Sequence, residues 1–372
     1  MKNIKILVLD MTIAGGVERV ASNMSIFFSK FKDEYTVEIV SIFKKNKNIP
    51  YPIPKNVTVR YLCPNNYYSL DNLVKKLKSN FIMLYSLIFA SFKYKKEDII
   101  ISNMANISDY LSLLKFRNRY KLICFEHTYH AVFGRFSQFV IKTMFKNANV
   151  VVTLTNSEKV YYKQLFKRVI CIPNALTFYP LENATFQSKR VVAIGRLSVE
   201  KGFIELLPVY KKLAKKFPNW EFAIFGSGDL EVVLKDKMYN YPTNVKLYPS
   251  TNIIQQEMLN SSIYVCSSLT EAFPMVMLEA MACGLPVVSY DCPCGPREII
   301  KNGIDGILVP QGDIMLLEQS IEKLILDECL WQNFSKAAKL NIKRFLPESI
   351  FNKWIELINN ISNEGTNSGS IS

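Results

Sequence analysis

Short apolar runs recur along the chain at residues 4–9, 36–43, 57–62, 98–102, 120–125, 149–154 and 168–172, each parted from the next by a helical or loop segment. Such alternation predicts parallel strands joined by crossover helices, a doubly wound α/β sheet. The stretch 178–189 (FYPLENATFQSK), polar and carrying a proline, reads as a linker. The pattern restarts after it at 191–194, 221–225, 245–248, 263–266, 286–289 and 306–309. With 372 residues, 49% of them hydrophobic, the chain can fill two cores. The expectation is two facing Rossmann-like domains with a cleft between them, at 1–180 and 189–346. A C-terminal helix at 347–362 and a polar tail at 363–372, expected to be disordered, complete the chain.

Several classes are excluded or disfavoured. No run reaches the ~18 apolar residues of a spanning helix, and MKNIKILVLD is a strand pattern without a signal-peptide cleavage site, so the chain is expected to stay in the cytosol. Eight cysteines are scattered among apolar segments, which suits reduced thiols. Cys292-Pro-Cys294 lacks a second ligand pair, so no metal site is expected.

The net charge of +14 is unevenly spread: residues 1–188 hold 27 Lys and Arg against 12 Asp and Glu, whereas 189–372 hold 19 against 20. The first half therefore points to an acidic partner: nucleic acid, anionic lipid or a phosphorylated substrate. Between Lys75 and Lys96 a twelve-residue apolar stretch lies between lysine clusters. It is too short to span a bilayer and suits either a membrane surface or a buried helix with solvated ends. No basic-aromatic stacking motif favours nucleic acid.

Doubly wound sheets bind ligands at the carboxyl ends of strands, where loops enter helices. Gly15 and Gly16 follow the first run and open a helix. Gly195-Arg196 through Lys201-Gly202 place two cations around a tight loop, suited to a diphosphate. In Phe225-Gly226-Ser227-Gly228-Asp229 the nicotinamide fingerprint is not completed, because Glu231 stands where its last glycine would be. The run from Pro274 to Gly284 reads as a short helix with Pro274 at its first position, apolar throughout except Glu279. A carboxylate in such surroundings needs donors from protein or ligand. A diphosphate at this helix tip would put a ribose beside Glu279 and a sugar beside Glu271.

These pieces in this order (GGVE, EHT at 126–128, GRLSVEKG, FGSGD, and E-x7-E from Glu271 to Glu279) resemble the retaining glycosyltransferases of family 4, or group 1, with the GT-B fold. The trailing GLPVVSYDCPCGPREII is similar to bacterial members that build capsules, lipid-linked oligosaccharides, lipopolysaccharide or wall teichoic acid. The resemblance implies that Glu279 holds the nucleotide ribose. Glu271, Ala272, Phe273, Pro274, Met275 and Val276 would hold the donor sugar or its phosphates. Arg196 and Lys201 would neutralise the leaving diphosphate, Gly15, Gly16 and Gly226 would let the donor approach the backbone, and His127 would contact the sugar.

Catalytic roles thus fall to Arg196, Lys201, Glu271 and His127, while His130 reads as local structure. Ala272 stands where the family usually has glycine. The implied reaction moves a hexose or N-acetylhexosamine, UDP-linked, to a polyprenyl-diphosphate-linked or other glycan acceptor at the anionic inner membrane surface. It needs no cofactor, and with no Asp-x-Asp in the chain it needs no metal. A sugar-nucleotide-binding protein without transfer activity is the alternative, and a nicotinamide oxidoreductase a weaker one.

Overall fold

The computed structural model describes residues 1–64, 66, 73–115, 120–132, 134 and 145–363. They form two compact units, the first containing Met1–Ala175 together with the last helix, the second Leu176–Leu346.

In the first unit β1 (Lys2–Val8), β2 (Tyr35–Phe43), β3 (Thr58–Cys63), β4 (Asp98–Ser102), β5 (Lys121–Glu126), β6 (Val150–Thr153) and β7 (Val169–Cys171) pair side by side. Their order is β3-β2-β1-β4-β5-β6-β7, parallel at every junction. Ile99, Ile100 and Ile101 on β4 are all fully buried, as expected for a strand covered on both faces.

The second unit repeats the plan with β8 (Arg190–Ile194), β9 (Glu221–Phe225), β10 (Val245–Tyr248), β11 (Ile263–Cys266), β12 (Val287–Asp291) and β13 (Gly306–Pro310). Its order is β10-β9-β8-β11-β12-β13, again all parallel. In each sheet the strand order reverses, between β1 and β4 and between β8 and β11. The loops on either side of a reversal leave in opposite directions and open a crevice at the carboxyl ends.

Two boundaries differ from the sequence expectation. The unit boundary falls at Ala175/Leu176, and the supposed linker at 178–189 is built into the second unit. The Ala184 amide donates to the Cys283 carbonyl at 2.7 Å, the Ser262 hydroxyl donates to the carbonyls of Thr185 and Phe186, and the Phe186 ring packs edge-on to Trp220 and Trp331.

The C-terminal helix, Pro347–Asn363, is an integral layer of the first unit. Ile350, Phe351, Trp354, Leu357, Ile358 and Ile361 recur at helical spacing along its buried face. Phe351 stacks on Phe27 with centroids 4.3 Å apart, and Trp354 meets Phe125 edge-on at 5.0 Å. The tail expected at 363–372 lies outside the described residues, apart from Asn363, which ends this helix.

Among the described residues no helix is long and apolar enough to cross a membrane. None of the eight cysteines is in a disulfide; Cys124, Cys266, Cys283, Cys292 and Cys294 are buried, but Cys329 is exposed.

Candidate active site

The loops leaving β8 and β11, the two strands flanking the reversal of the second sheet, are tied to each other at several points. The Leu269 amide donates to the Glu200 carbonyl at 2.8 Å, and the Ser267 hydroxyl donates to the Lys201 carbonyl at 2.9 Å. Gly202 makes this approach possible. Its φ is +65°, and a Cβ built there would lie 2.1 Å from the Ser267 carbonyl oxygen.

Across the junction Lys201 Nζ reaches Glu271 Oε1 at 2.5 Å, and the Ser268 hydroxyl donates to the same oxygen at 2.7 Å. Burial works against the ammonium charge, but the Glu271 carboxylate outweighs it and holds the Lys201 pKa above its ordinary value. The spacing reading had Lys201 facing a diphosphate; in this structure Glu271 faces it. Arg196 is exposed: its carbonyl accepts from the Ser198 amide at 2.9 Å, and its guanidinium makes no hydrogen bond or ion pair with any described residue.

The short helix begins at Met275, one position later than the sequence pattern placed it, with Pro274 as the capping residue outside it. Pro274 has the extended backbone of a cap, and its carbonyl accepts from the Met277 amide at 3.1 Å. The amides of the first turn, at Met275 and Val276, have no intrahelical acceptor and are available to an anion. Phe273 and Pro274 are buried beneath the loop, while Glu271, Ala272, Met275 and Val276 are half-buried along it. Phe273 packs edge-on to Phe345 at 5.6 Å.

Ala272 is unstrained: Lys189 is the one non-glycine residue with positive φ among those described. Glu279 is completely buried, and its Oε1 accepts from the Thr177 hydroxyl. Thr177 lies 102 positions away in the chain and carries no sequence signal. Ser267 and Ser268, also missed, follow directly on β11 and could have been flagged by position.

Gly226 is explained without a ligand. Its Cβ would lie 2.1 Å from the Gly195 carbonyl oxygen and 2.9 Å from Leu197 Cδ2, so the close approach is made by the β8 loop itself. Among the described residues no group of three or more His, Cys, Asp or Glu is placed to hold a metal ion.

The remaining candidates lie in the first unit. Gly15 caps the helix Gly16–Phe28, and a Cβ on it would meet the Glu18 carboxylate at 2.2 Å; one on Gly16 would meet nothing within 4 Å. His127 follows β5, and Asn103 follows β4. The Asn103 amide nitrogen donates to the Leu7 carbonyl at 3.1 Å, which turns its oxygen toward His127 Nε2 at 3.0 Å. Nε2 therefore carries the proton and Nδ1 is the acceptor. Burial lowers the imidazole pKa to about 3, so the ring is neutral. His130 is bound within its own unit, with Nδ1 2.7 Å from Glu158 Oε1 and its ring stacked on Tyr161 at 3.6 Å.

Glu126, beside His127, is buried. Burial first, and then the nearby Asp109 and Glu158 charges, push its pKa up to about 8. The folded state thus keeps a proton that the unfolded chain releases near its usual value of about 4.3, so this contribution to stability is lost as pH rises through about 8. Glu126→Gln is expected to raise the thermal midpoint at about pH 8.5 and to change it little at about pH 5. An equal shift at both values would overturn the protonated assignment.

Residues 182–341 match the family model of glycosyl transferases group 1. The chain is similar to the amylovoran biosynthesis glycosyltransferase AmsD of Erwinia amylovora, 29% identical over 96% of this chain and 100% of that protein. It is also similar to the α-1,4-N-acetyl-D-galactosaminyltransferase of Campylobacter jejuni that acts on a GalNAc-containing undecaprenyl-diphosphate saccharide, at 25% identity over 94% and 96%. Among solved structures, S. aureus TarM in complex with fondaparinux, α-GlcNAc-glycerol and UDP superposes with a TM-score of 0.78, at 18% identity over 96% of this chain and 100% of that one. The two parallel-sheet units are those of the GT-B glycosyltransferase fold.

Proposed function

We propose that the protein is a retaining glycosyltransferase moving a hexose or N-acetylhexosamine from a UDP-linked donor to a lipid-linked saccharide or related surface glycan. The observation that carries the reading is the Lys201–Glu271 pair beside the exposed Arg196, at the carboxyl ends of β8 and β11 and next to a helix N-terminus. Cations and amides fixed in advance suit a leaving group that gathers negative charge.

In this reading Arg196, Lys201 and the Met275 and Val276 amides receive the diphosphate, and Lys201 exchanges part of its contact with Glu271 for a phosphate oxygen. Glu271, with the loop 272–274, then accepts hydrogen bonds from sugar hydroxyls, and Glu279 holds the ribose. In the first unit Gly16 leaves room for the donor, and neutral His127 offers Nδ1 as an acceptor to a sugar hydroxyl. The acceptor oxygen attacks the anomeric carbon on the face from which UDP departs, so configuration is retained. The anomeric C–O bond breaks, and the acceptor proton passes to the departing phosphate oxygen. The lipid-linked acceptor is supported by the name of the Campylobacter relative, and UDP by the complexes among similar structures.

The test is a mass-spectrometric screen of UDP-sugars against polyprenyl-diphosphate saccharides, run with and without EDTA. Product with retained configuration, formed in both arms, is the expected result. Donor binding without any product would leave a binding protein, and loss in EDTA restored by manganese would overturn the metal-free chemistry.

A further inference from the structure

The helix Leu73–Ser91 has two unlike faces. Met83, Leu87 and Ala90 are buried in the core of the first unit together with Ile100 and Ile107. On the opposite side Val74, Leu77, Phe81, Tyr85, Phe89 and, one residue past the helix, Phe92 expose between 53% and 75% of their surface. Their spacing of three and four residues puts them in one stripe roughly 27 Å long. Tyr85 and Phe89 touch along it, with ring centroids 4.6 Å apart. A contiguous apolar stripe of this size on a folded surface marks an interaction site.

The flanking charge identifies the partner. Lys75, Lys76 and Lys78 are exposed at one end and Lys93, Lys95 and Lys96 at the other, and residues 73–96 contain no Asp or Glu. Two copies of the chain meeting through this stripe would set lysines against lysines in either orientation, which disfavours self-association.

We propose that this face lies in the plane of an anionic phospholipid surface, with the aromatic side chains in the acyl boundary and the two lysine clusters on the headgroup phosphates. The sequence left the stretch open between a membrane surface and a core helix. The structure makes it a core helix on one face, and the other face is the surface in question. The proposal gives the lipid-linked acceptor reading a membrane address but does not depend on it. Vesicle binding is measured without donor or acceptor, so its failure would leave the transfer reading standing.

The experiment uses the full chain with vesicles of phosphatidylcholine alone or mixed with phosphatidylglycerol. Binding is expected only to the mixed vesicles. Phe81→Asp/Phe89→Asp and, separately, Gln at the six lysines should each weaken it roughly tenfold or more. Both variants should keep the parent thermal midpoint, because every altered side chain is exposed. A Phe89→Trp variant should be quenched by brominated acyl chains, which separates insertion from headgroup contact. Equal binding to neutral vesicles, binding to neither kind, or aspartate variants that bind as the parent does would overturn the proposal. So would a dimer of the parent chain that the aspartates dissolve.

Discussion

Lys201→Ala is expected to lower kcat by about a hundredfold to a thousandfold, a loss of about 3 to 4 kcal/mol of transition-state stabilisation. The charge on a departing diphosphate grows only as the anomeric bond breaks, so a cation at that position acts more strongly on the transition state than on bound donor. The structure adds a second cost. Glu271, only 12% exposed at its side chain, would lose the ammonium 2.5 Å away and present an uncompensated carboxylate toward an anionic donor. Lys201→Arg keeps the charge and should recover part of the loss.

Glu279→Ala should behave differently, raising the donor KM more than it lowers kcat, since a ribose contact is much the same in ground and transition states. Steady-state kinetics with varied donor separate the two patterns. A Lys201→Ala defect confined to KM would remove the leaving-group role. The raised Lys201 pKa carries a further expectation: its charge persists to above the ordinary lysine value of about 10.4, so the rate should show no alkaline limb from this group below that value.

Gly202→Ala is expected to cost about 3 kcal/mol of stability in the second unit, lowering its midpoint by roughly 6 to 12 °C for a unit of this size. Two effects combine. A left-handed backbone costs an L-residue about 1–2 kcal/mol, and the added methyl would press on the Ser267 carbonyl oxygen at 2.1 Å, which is backbone and cannot swing aside. The same push would part the β8 and β11 loops, so residual activity should fall at temperatures where the protein is still folded. Gly16→Ala is the matched control. Nothing lies within 4 Å of its Cβ position, so any change it causes should appear in kinetics and not in the midpoint. Equal midpoints for the Gly202 variant and the parent would refute the close-approach account.

The sequence by itself determined the elements and their order. Strands at 98–102, 221–225, 245–248 and 263–266 were read with the bounds the structure gives them, because parallel strands covered on both faces are continuous apolar runs bounded by polar turns. It also marked Glu279, since a lone carboxylate in an apolar helix violates a strong rule of burial. What it could not determine was adjacency. The reversal between β8 and β11 brings residues 196–202 beside residues 267–271 and so pairs Lys201 with Glu271 and Gly202 with Ser267, while Thr177, ahead of β8, meets Glu279 across 102 positions of chain. Polar residues in loops carry no periodicity, so their partners cannot be read from spacing. Gly226 was legible as a close approach, but not what approaches it. The same limit applies to the C-terminal helix, whose apolar stripe announces that it must be covered and leaves unstated which sheet covers it. Local patterning follows from short-range backbone sterics and burial, whereas a site is made by long-range contacts that the packing of whole layers selects.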